Sequence, residues 1–388
     1  MRSYLQMPFA RWRMGFIITT IITLHLSVRV RAQPQAADSL VWYKSIAVNG
    51  LISTSATYNF NRPASAQNQF RVFDIASNSF QFDLFSLTLK HEAALGEAGF
   101  RVDVNAGPYI PRIMQSAGFP ALNVDFEQAF LSYNAPIGRG LQFDFGKFLC
   151  PAGYEYVERS DNYNDNASHS FMFGYAIPYT HTGIRATYPL SDALSAAVLL
   201  VNGWDNSVDN NKAKTTCADV SWTPSSGTNV TITAIGGPEK NGNTSDERMV
   251  IDFAASFKFS EPLVLGFNAD YGSEQNDPVG SHTAGQEETV MQIGTAIWRG
   301  AAGYLIATMS QKFSFCLRAE IFDDPNGART GINQTLHECT LTPCWKPTER
   351  LVIRGDLRYD WSTADVFDQQ GSMVQFQPTA SLNLLYVF

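Results

Sequence analysis

The sequence predicts an all-β protein: a closed antiparallel transmembrane β-barrel of about 16 strands, with 14 to 18 as the range. Three observations predict this fold. Apolar and polar residues alternate along many segments, the connections between these segments are short and long in turn, and the chain stops on a strand that ends with Phe388. Segments of about ten alternating residues are what a tilted strand needs to cross a bilayer.

Residues 1–32 are predicted to be a signal peptide. They hold five arginines, no acidic residue, an apolar run from Met14 to Leu26, and Val30-Arg31-Ala32 before Gln33. This is the pattern of a secretory signal with a small-residue cleavage site. A membrane-anchoring helix would need about 20 apolar residues, and this run is interrupted sooner. The barrel is therefore expected to occupy residues 33–388, after export through the periplasm.

Charge and cysteine content narrow the function classes. Without residues 1–32 the chain has 23 basic and 36 acidic side chains and a net charge of −13, which argues against a nucleic-acid partner. The five cysteines contain no CxxC pair, so no metal or cofactor is predicted. Cys339 and Cys344 are left as either a disulfide or two free thiols. The region after residue 32 has no run of 18 apolar residues, which excludes membrane-spanning helices.

The alternation predicts sixteen strands. They lie near residues 41–59, 79–91, 99–106, 123–134, 140–149, 179–188, 193–203, 213–223, 228–236, 248–259, 263–272, 289–309, 313–323, 332–345, 350–361 and 373–388. The short connections are expected to be periplasmic turns and the long ones extracellular loops. Two segments fit less well: the apolar parity flips at Leu84-Phe85, which predicts a bulge, and 289–309 is long enough for two strands.

The last strand carries a further signal. Apolar residues share one parity from Val374 to Phe388, with Leu382, Leu384 and Tyr386 between them. In bacteria, a final strand with Phe at the last position and apolar residues two, four and six before it resembles the signal read by the barrel-assembly machinery. We therefore identify Tyr386 and Phe388 as a C-terminal assembly signal, and expect that machinery and outer-membrane lipid as partners.

The block from Phe126 to Asp219 resembles the Putative beta-barrel porin-2 (OmpL-like) family of bacterial outer-membrane proteins. The resemblance rests on Gly146-Lys147-Phe148, Gly153-Tyr154-Glu155, His181-Thr182-Gly183 and Asn202-Gly203-Trp204. It covers most of the chain after residue 32 but is dense only in this block. It implies a location in the outer membrane of a Gram-negative bacterium and a pore, and it supplies no defined solute.

A barrel of this size leaves an aqueous channel, so passive diffusion of small polar or ionic solutes is the predicted function. The longest loop, residues 150–178, is expected to fold into the lumen and to constrict it. Its acidic residues would favour cations: they are Glu155, Glu158, Asp161 and Asp165. The polar faces of two later strands are expected to line the pore with Arg318, Glu320, Arg354, Asp356, Arg358 and Asp360.

Three alternatives remain open or are set aside. A non-conducting barrel that acts in surface adhesion or as a structural protein is the main competitor. A homotrimer is left open, since one sequence shows no subunit interface. An enzyme is not predicted, because the adjacent residues Ser168-His169-Ser170 do not supply the geometry of nucleophilic catalysis.

An aromatic girdle would place Trp204, Trp298, Trp345 and Trp361 at the rims.

Overall fold

The computed structural model describes residues 45–108, 110, 118–119, 123–279 and 292–388, so the predicted signal peptide lies outside the described residues. These residues form sixteen long strands: β1 (Ala47–Asn59), β2 (Ser79–His91), β3 (Ala98–Ala106), β4 (Val124–Ala135), β5 (Leu141–Leu149), β6 (Thr180–Pro189), β7 (Leu194–Val201), β8 (Thr215–Ser225), β9 (Thr228–Pro238), β10 (Glu247–Ser260), β11 (Leu263–Val279), β12 (Gln292–Thr308), β13 (Phe313–Asp324), β14 (Gln334–Trp345), β15 (Leu351–Ser362) and β16 (Phe376–Val387).

The sheet is closed. Each strand pairs antiparallel with its neighbour in the chain, and β1 pairs with β16 through a register that joins Leu51 to Val387. The described parts of the connections contain the two-residue strand Gly118–Phe119, the helix Phe171–Tyr175, and a hairpin of Phe367–Gln369 with Ser372–Val374. Among the described residues, no helix is long and apolar enough to cross a bilayer. The predicted fold class is confirmed.

Side chains alternate between the two faces of the barrel wall as the sequence predicts. On β15, Arg354 and Arg358 are 1% and 3% exposed, whereas Leu357 between them is 58% exposed. The inward face is the polar one and the outward face the apolar one, which is the inverse of a soluble sheet with a solvated side. This is the arrangement that lipid outside and water inside require.

Both segments that fitted the pattern less well are strands of the barrel. Ser53 and Thr54 of β1 pair with Leu84 and Phe82 of β2, so Asp83 is the extra residue of a bulge in β2. The bulge lies one position from the predicted parity flip. The described part of the segment near 289–309 is a single strand, β12, which pairs with β11 from Gln292 to Ala307 and with β13 from Arg299 to Thr308. Its register with β11 shifts between Gly294 and Ala296, whereas Gly300 and Gly303 lie in regular pairing.

The five cysteines are free thiols. Cys339 and Cys344 both lie on β14, but Cys339 is exposed and Cys344 is buried. Successive positions of a strand point to opposite faces, so an odd and an even residue of the same strand cannot meet. The disulfide that the sequence left open is therefore absent.

The aromatic girdle was predicted for four tryptophans, and two of them are placed differently. Trp345 and Trp361 are exposed on the outer face near strand ends. Trp298 is fully buried on the inner face, where its ring fills the space beside Gly272. Trp204 contacts it with the ring centroids 6.3 Å apart. Even residues of β12 face the interior, where Trp298 lies together with Tyr304 and Ile306.

Candidate functional site: the loop inside the barrel

The connection between β5 and β6, residues 150–178, lies inside the barrel, and we call it the inner loop. Its backbone donates hydrogen bonds to inward side chains on distant strands. Gly153 N bonds Asp252 on β10 at 3.0 Å, and Ser168 N bonds Asp356 on β15 at 2.7 Å. Since β10 and β15 are not neighbours in the sheet, the inner loop spans the interior between them.

The strongest attachment is centred on Arg318 of β13, which is fully buried. Its Nη1 lies 2.7 Å from Glu155 of the inner loop, and its Nε lies 2.6 Å from Glu338 of β14. Nη1 also donates to the carbonyl oxygen of Ser168 at 2.7 Å. Burial raises the pKa of Glu155, but Arg318 and further partners outweigh it and hold that pKa below its usual value. Glu155 is therefore a charged anchor.

A second attachment is made by β15. Arg354 pairs with Glu158 at 2.7 Å and donates to the carbonyl oxygen of Asn164 at 2.5 Å. Arg358 donates to the carbonyl oxygen of His169 at 2.5 Å. Two of the four predicted loop carboxylates thus meet two of the predicted wall arginines, and Arg358 holds the loop backbone instead.

The other two loop acids lie away from this wall. Asp161 is partly exposed and pairs with Arg101 of β3 at 3.0 Å. Asp165 borders a cavity of about 190 Å³ beside Tyr154 and has no lysine or arginine within 4.0 Å among the described residues. Burial raises its pKa. The four acids therefore do not form one cluster.

The remaining predicted wall residues also contact the loop or its anchors. Glu320 accepts hydrogen bonds from the backbone nitrogens of Phe171 and Met172 at 2.7 and 2.5 Å, and so holds the first turn of the short helix. Asp356 accepts from Ser168 Oγ at 2.6 Å. Asp360 pairs with Arg71, which comes from the connection between β1 and β2, at 2.6 Å. The sequence did not single out Arg71.

An apolar core inside the barrel was not predicted. Buried loop residues pack against inward apolar residues of strands β5, β7 to β10 and β12 to β14. The members are Phe148, Ala152, Phe171, Met172, Ala176, Ile177, Ala197, Leu199, Val201, Cys217, Ile235, Val250, Trp298, Ala302, Tyr304, Ile306, Cys316, Phe322, Leu336, Val366 and Phe367. One signal was present in the sequence: Leu194–Val201 reads LSAAVLLV, with apolar residues on both parities. A strand that is apolar on both faces is covered on both.

Two cavities flank the inner loop. One of about 440 Å³ extends towards the short turns, past Asn229 and Thr231 near the start of β9. The other, of about 540 Å³, is lined by the long connections; we call it the outer cavity. Ile177 and Tyr179 line both. The end of the inner loop is therefore the partition between the two spaces.

Ser168, His169 and Ser170 have structural partners. Ser168 Oγ donates to Asp356, and Ser170 Oγ accepts from Phe173 N at 3.0 Å as a helix cap. The His169 ring lies 4.5 Å from the rings of both Phe73 and Phe173. These three adjacent residues thus lack the hydroxyl-to-imidazole contact of a nucleophilic site.

The C-terminal residues lie at the seam between β16 and β1. Tyr386 and Phe388 are exposed on the outer face. The backbone of Phe388 exchanges two hydrogen bonds with Gly50, at 2.7 and 2.9 Å, and its ring covers the place where a Cβ on Gly50 would lie. The last residue is therefore part of the barrel wall.

Comparisons with known proteins agree with this geometry. A family model described as Putative beta-barrel porin-2, OmpL-like, matches residues 45–388. A search of curated proteins finds no match. Among solved structures, the chain is similar to the outer membrane channel DcaP of Acinetobacter baumannii, with a TM-score of 0.59, 10% identity, and coverage of 88% of this chain and 97% of that one.

Two more solved structures cover 88% of this chain at 12% identity. The anion-selective porin from Comamonas acidovorans gives a TM-score of 0.59 over 99% of its chain, and OmpF of Salmonella typhi, solved with daunomycin, gives 0.58 over 97%. Identities this low establish a shared fold and leave the solute open.

Proposed function

The chain belongs to the Putative beta-barrel porin-2 (OmpL-like) family and is an outer-membrane porin, and we propose that it lets small polar and ionic solutes diffuse passively. These solutes pass the inner loop, which acts as the constriction. The observation that carries the proposal is the crossing of the interior by residues 150–178, held by the pairs Glu155–Arg318 and Glu158–Arg354. A constriction fixed by buried ion pairs keeps one width, which a size-limited pore requires.

Planar-bilayer recording of the purified, refolded protein tests this function. We expect stepwise currents, and we expect proteoliposomes to swell in small sugars but not in large ones. A non-conducting adhesion or structural barrel predicts neither result, even when heat-modifiable gel mobility shows that the barrel is folded. Absence of current from such folded protein would contradict the proposal.

We further propose a preference for cations, because the inward charges do not balance. Each inward lysine and arginine of the described strands has a carboxylate within 4.0 Å. Asp83 and Asp219 have no such cation within that distance among the described residues; their partners include Ser55 at 2.8 Å and Thr233 at 3.0 Å. Both side chains are partly exposed, so we infer that their negative charge acts on ions in the lumen. Glu155 and Glu158 add to it, but they also anchor the inner loop.

The double replacement of Asp83 and Asp219 by Asn is expected to lower the potassium-to-chloride permeability ratio a few-fold at unchanged conductance. A unit charge at contact distance in water contributes about 1 kcal/mol. Replacement of Glu155 and Glu158 by Gln is expected to lower the ratio and also to raise the conductance, since the loop loses its anchors. The measurement is the reversal potential in a salt gradient.

The control is Asp192→Asn, because that side chain is 95% exposed in a short turn. A ratio that falls equally in the control, or that stays constant in both double variants, would contradict the preference.

Other parts of the assignment are proposals that rest on sequence or on family. We propose that residues 1–32 are removed during export, that the barrel-assembly machinery recognises the strand ending in Tyr386 and Phe388, and that the protein acts without catalysis. Lipid contacts on the apolar outer face and a homotrimer are proposed likewise. Retention of unfolded protein in the periplasm when Phe388 is deleted would support the recognition step.

A further inference from the structure

The outer cavity has arginine side chains on an aromatic wall. Two guanidinium groups lie over the indole of Trp204: Arg248 at 4.9 Å and Arg329 at 4.7 Å from Cζ to the ring centroid. Arg329 also lies 5.2 Å from the ring of Trp298. Indole rings hold guanidinium groups through cation–π attraction, so both cations are fixed in place at the cavity wall.

The three arginines of the outer cavity differ in their partners. Arg71 is saturated by Asp74 and Asp360. Arg248 uses its Nε on Glu274. Arg329 uses its Nε on the carbonyl oxygen of Tyr175 at 2.6 Å and has no carboxylate within 4.0 Å among the described residues.

Arg329 is held in a setting that disfavours its charge. Burial, together with the neighbouring Arg248, lowers the pKa of Arg329 to about 10, so the group still carries its charge at neutral pH. A bound anion would offset the repulsion between the two guanidinium groups. Their planar edges suit a carboxylate, which accepts two parallel hydrogen bonds.

The rest of the lining is made of hydrogen-bonding groups. Glu239 accepts from Trp204 N at 2.7 Å, a contact that depends on Gly203, whose φ of +137° and missing Cβ leave room for the carboxylate. Asn210 Oδ1 is buried without a hydrogen-bond partner among the described residues. Asp205 and Asn241 also line the space. Acceptors of this kind suit hydroxyl groups, and the carboxylates among them disfavour a second negative charge on a ligand.

We propose that the outer cavity binds a small hydroxylated monocarboxylate, of the sugar-acid class, with its carboxylate on Arg248 and Arg329 and its hydroxyls towards Asn210 and Glu239. A cavity of about 540 Å³ accommodates a molecule of that size. The inference rests on the proposed function, because the solute reaches this cavity by diffusion from the long-loop rim of the pore. It is compatible with a cation-preferring lumen, because a reversal potential reports the charge along the whole path and this site is local.

Calorimetry with gluconate and sorbitol tests the proposal on the full refolded barrel in detergent. The two probes are six-carbon polyols that differ in the carboxylate. Gluconate is expected to bind about tenfold or more tightly than sorbitol, since hydrogen bonds to charged groups are the stronger ones. Equal binding of both probes, or binding of neither, would overturn the proposal without any variant being made.

The variants locate the site. Arg329→Gln and Arg248→Gln are each expected to weaken gluconate binding about tenfold and to leave sorbitol unchanged. Arg299→Gln is the matched control, because Arg299 is 61% exposed on β12 and pairs with Asp323; it is expected to bind gluconate like the unaltered protein. If Arg299→Gln weakened gluconate binding as much as Arg329→Gln and Arg248→Gln do, the binding would be a non-specific charge effect and the proposed site would be wrong.

The result is separable from that of the porin proposal. Calorimetry needs no current, so a conducting barrel that does not bind gluconate overturns this inference alone. Addition of gluconate in the bilayer is expected to reduce the potassium current from the long-loop side at lower concentration than from the turn side. A block without sidedness would also contradict the assignment to the outer cavity.

Discussion

Replacing residues 152–176 by a short Gly-Ser linker is expected to raise the single-channel conductance several-fold. The closed sheet consists of strand-to-strand pairing alone, including the β1–β16 seam, and no strand needs the inner loop for its ladder. The two ends of the loop are already joined by a hydrogen bond from Cys150 N to the carbonyl oxygen of Tyr179 at 2.9 Å, so a short linker can span them. A barrel of sixteen strands without a loop inside leaves a wide aqueous channel.

The control for the deletion is the same linker in place of residues 241–245, a connection at the long-loop rim. It is expected to leave the conductance unchanged. Heat-modifiable mobility shows whether each variant has folded. A folded deletion variant with the original conductance would mean that the inner loop does not set the width of the path.

Arg318→Met is expected to destabilise the protein by about 3–5 kcal/mol and to make the current noisy. Arg318 is fully buried between Glu155 and Glu338, and its removal leaves Glu155 without a cation and Glu338 with only Arg358, at 3.6 Å. Breaking one side of a buried ion pair is far more costly than replacing the whole pair. The free energy of unfolding in urea, measured with the barrel in lipid, reports the loss of stability.

A triple variant separates charge from packing. Arg318→Met combined with Glu155→Gln and Glu338→Gln removes the stranded charges, and we expect it to recover a large part of the lost stability. Arg299→Met provides the surface comparison, because exposed pairs contribute about 0.2–1 kcal/mol. If Arg318→Met and Arg299→Met unfolded at the same urea concentration, Arg318 would not be an anchor.

Strand positions and facing were predictable from the sequence because both are local. A period of two needs only neighbouring residues, and the polar parity of β13 and β15 places Arg318 and Arg354 inside without knowledge of any other part of the chain. The number of strands followed because short and long connections alternate. Even the bulge in β2 was visible, since an extra residue inverts the parity at one position.

The interior contacts were not predictable, because each joins residues far apart in the sequence. The loop acids and the wall arginines were each identified, but no local pattern says that Glu155 meets Arg318 or that Asp161 meets Arg101 instead. Trp298 was assigned to a rim girdle although it lies within the long segment, and only the fold shows that Gly272 on the adjacent strand leaves room for its ring. Arg71 and Arg329 lie in loops, where no periodicity indicates a direction.

The seam has a consequence for the order of biogenesis. Leu51 and Val387 lie near opposite ends of the chain, and the ladder that joins them ends at Phe388. The barrel therefore cannot close until β1 and β16, the first and last of its described long strands, have paired. Bringing such distant segments together is entropically slow. Until that pairing forms, the unclosed sheet exposes two strand edges, and this interval is when it most needs protection from aggregation.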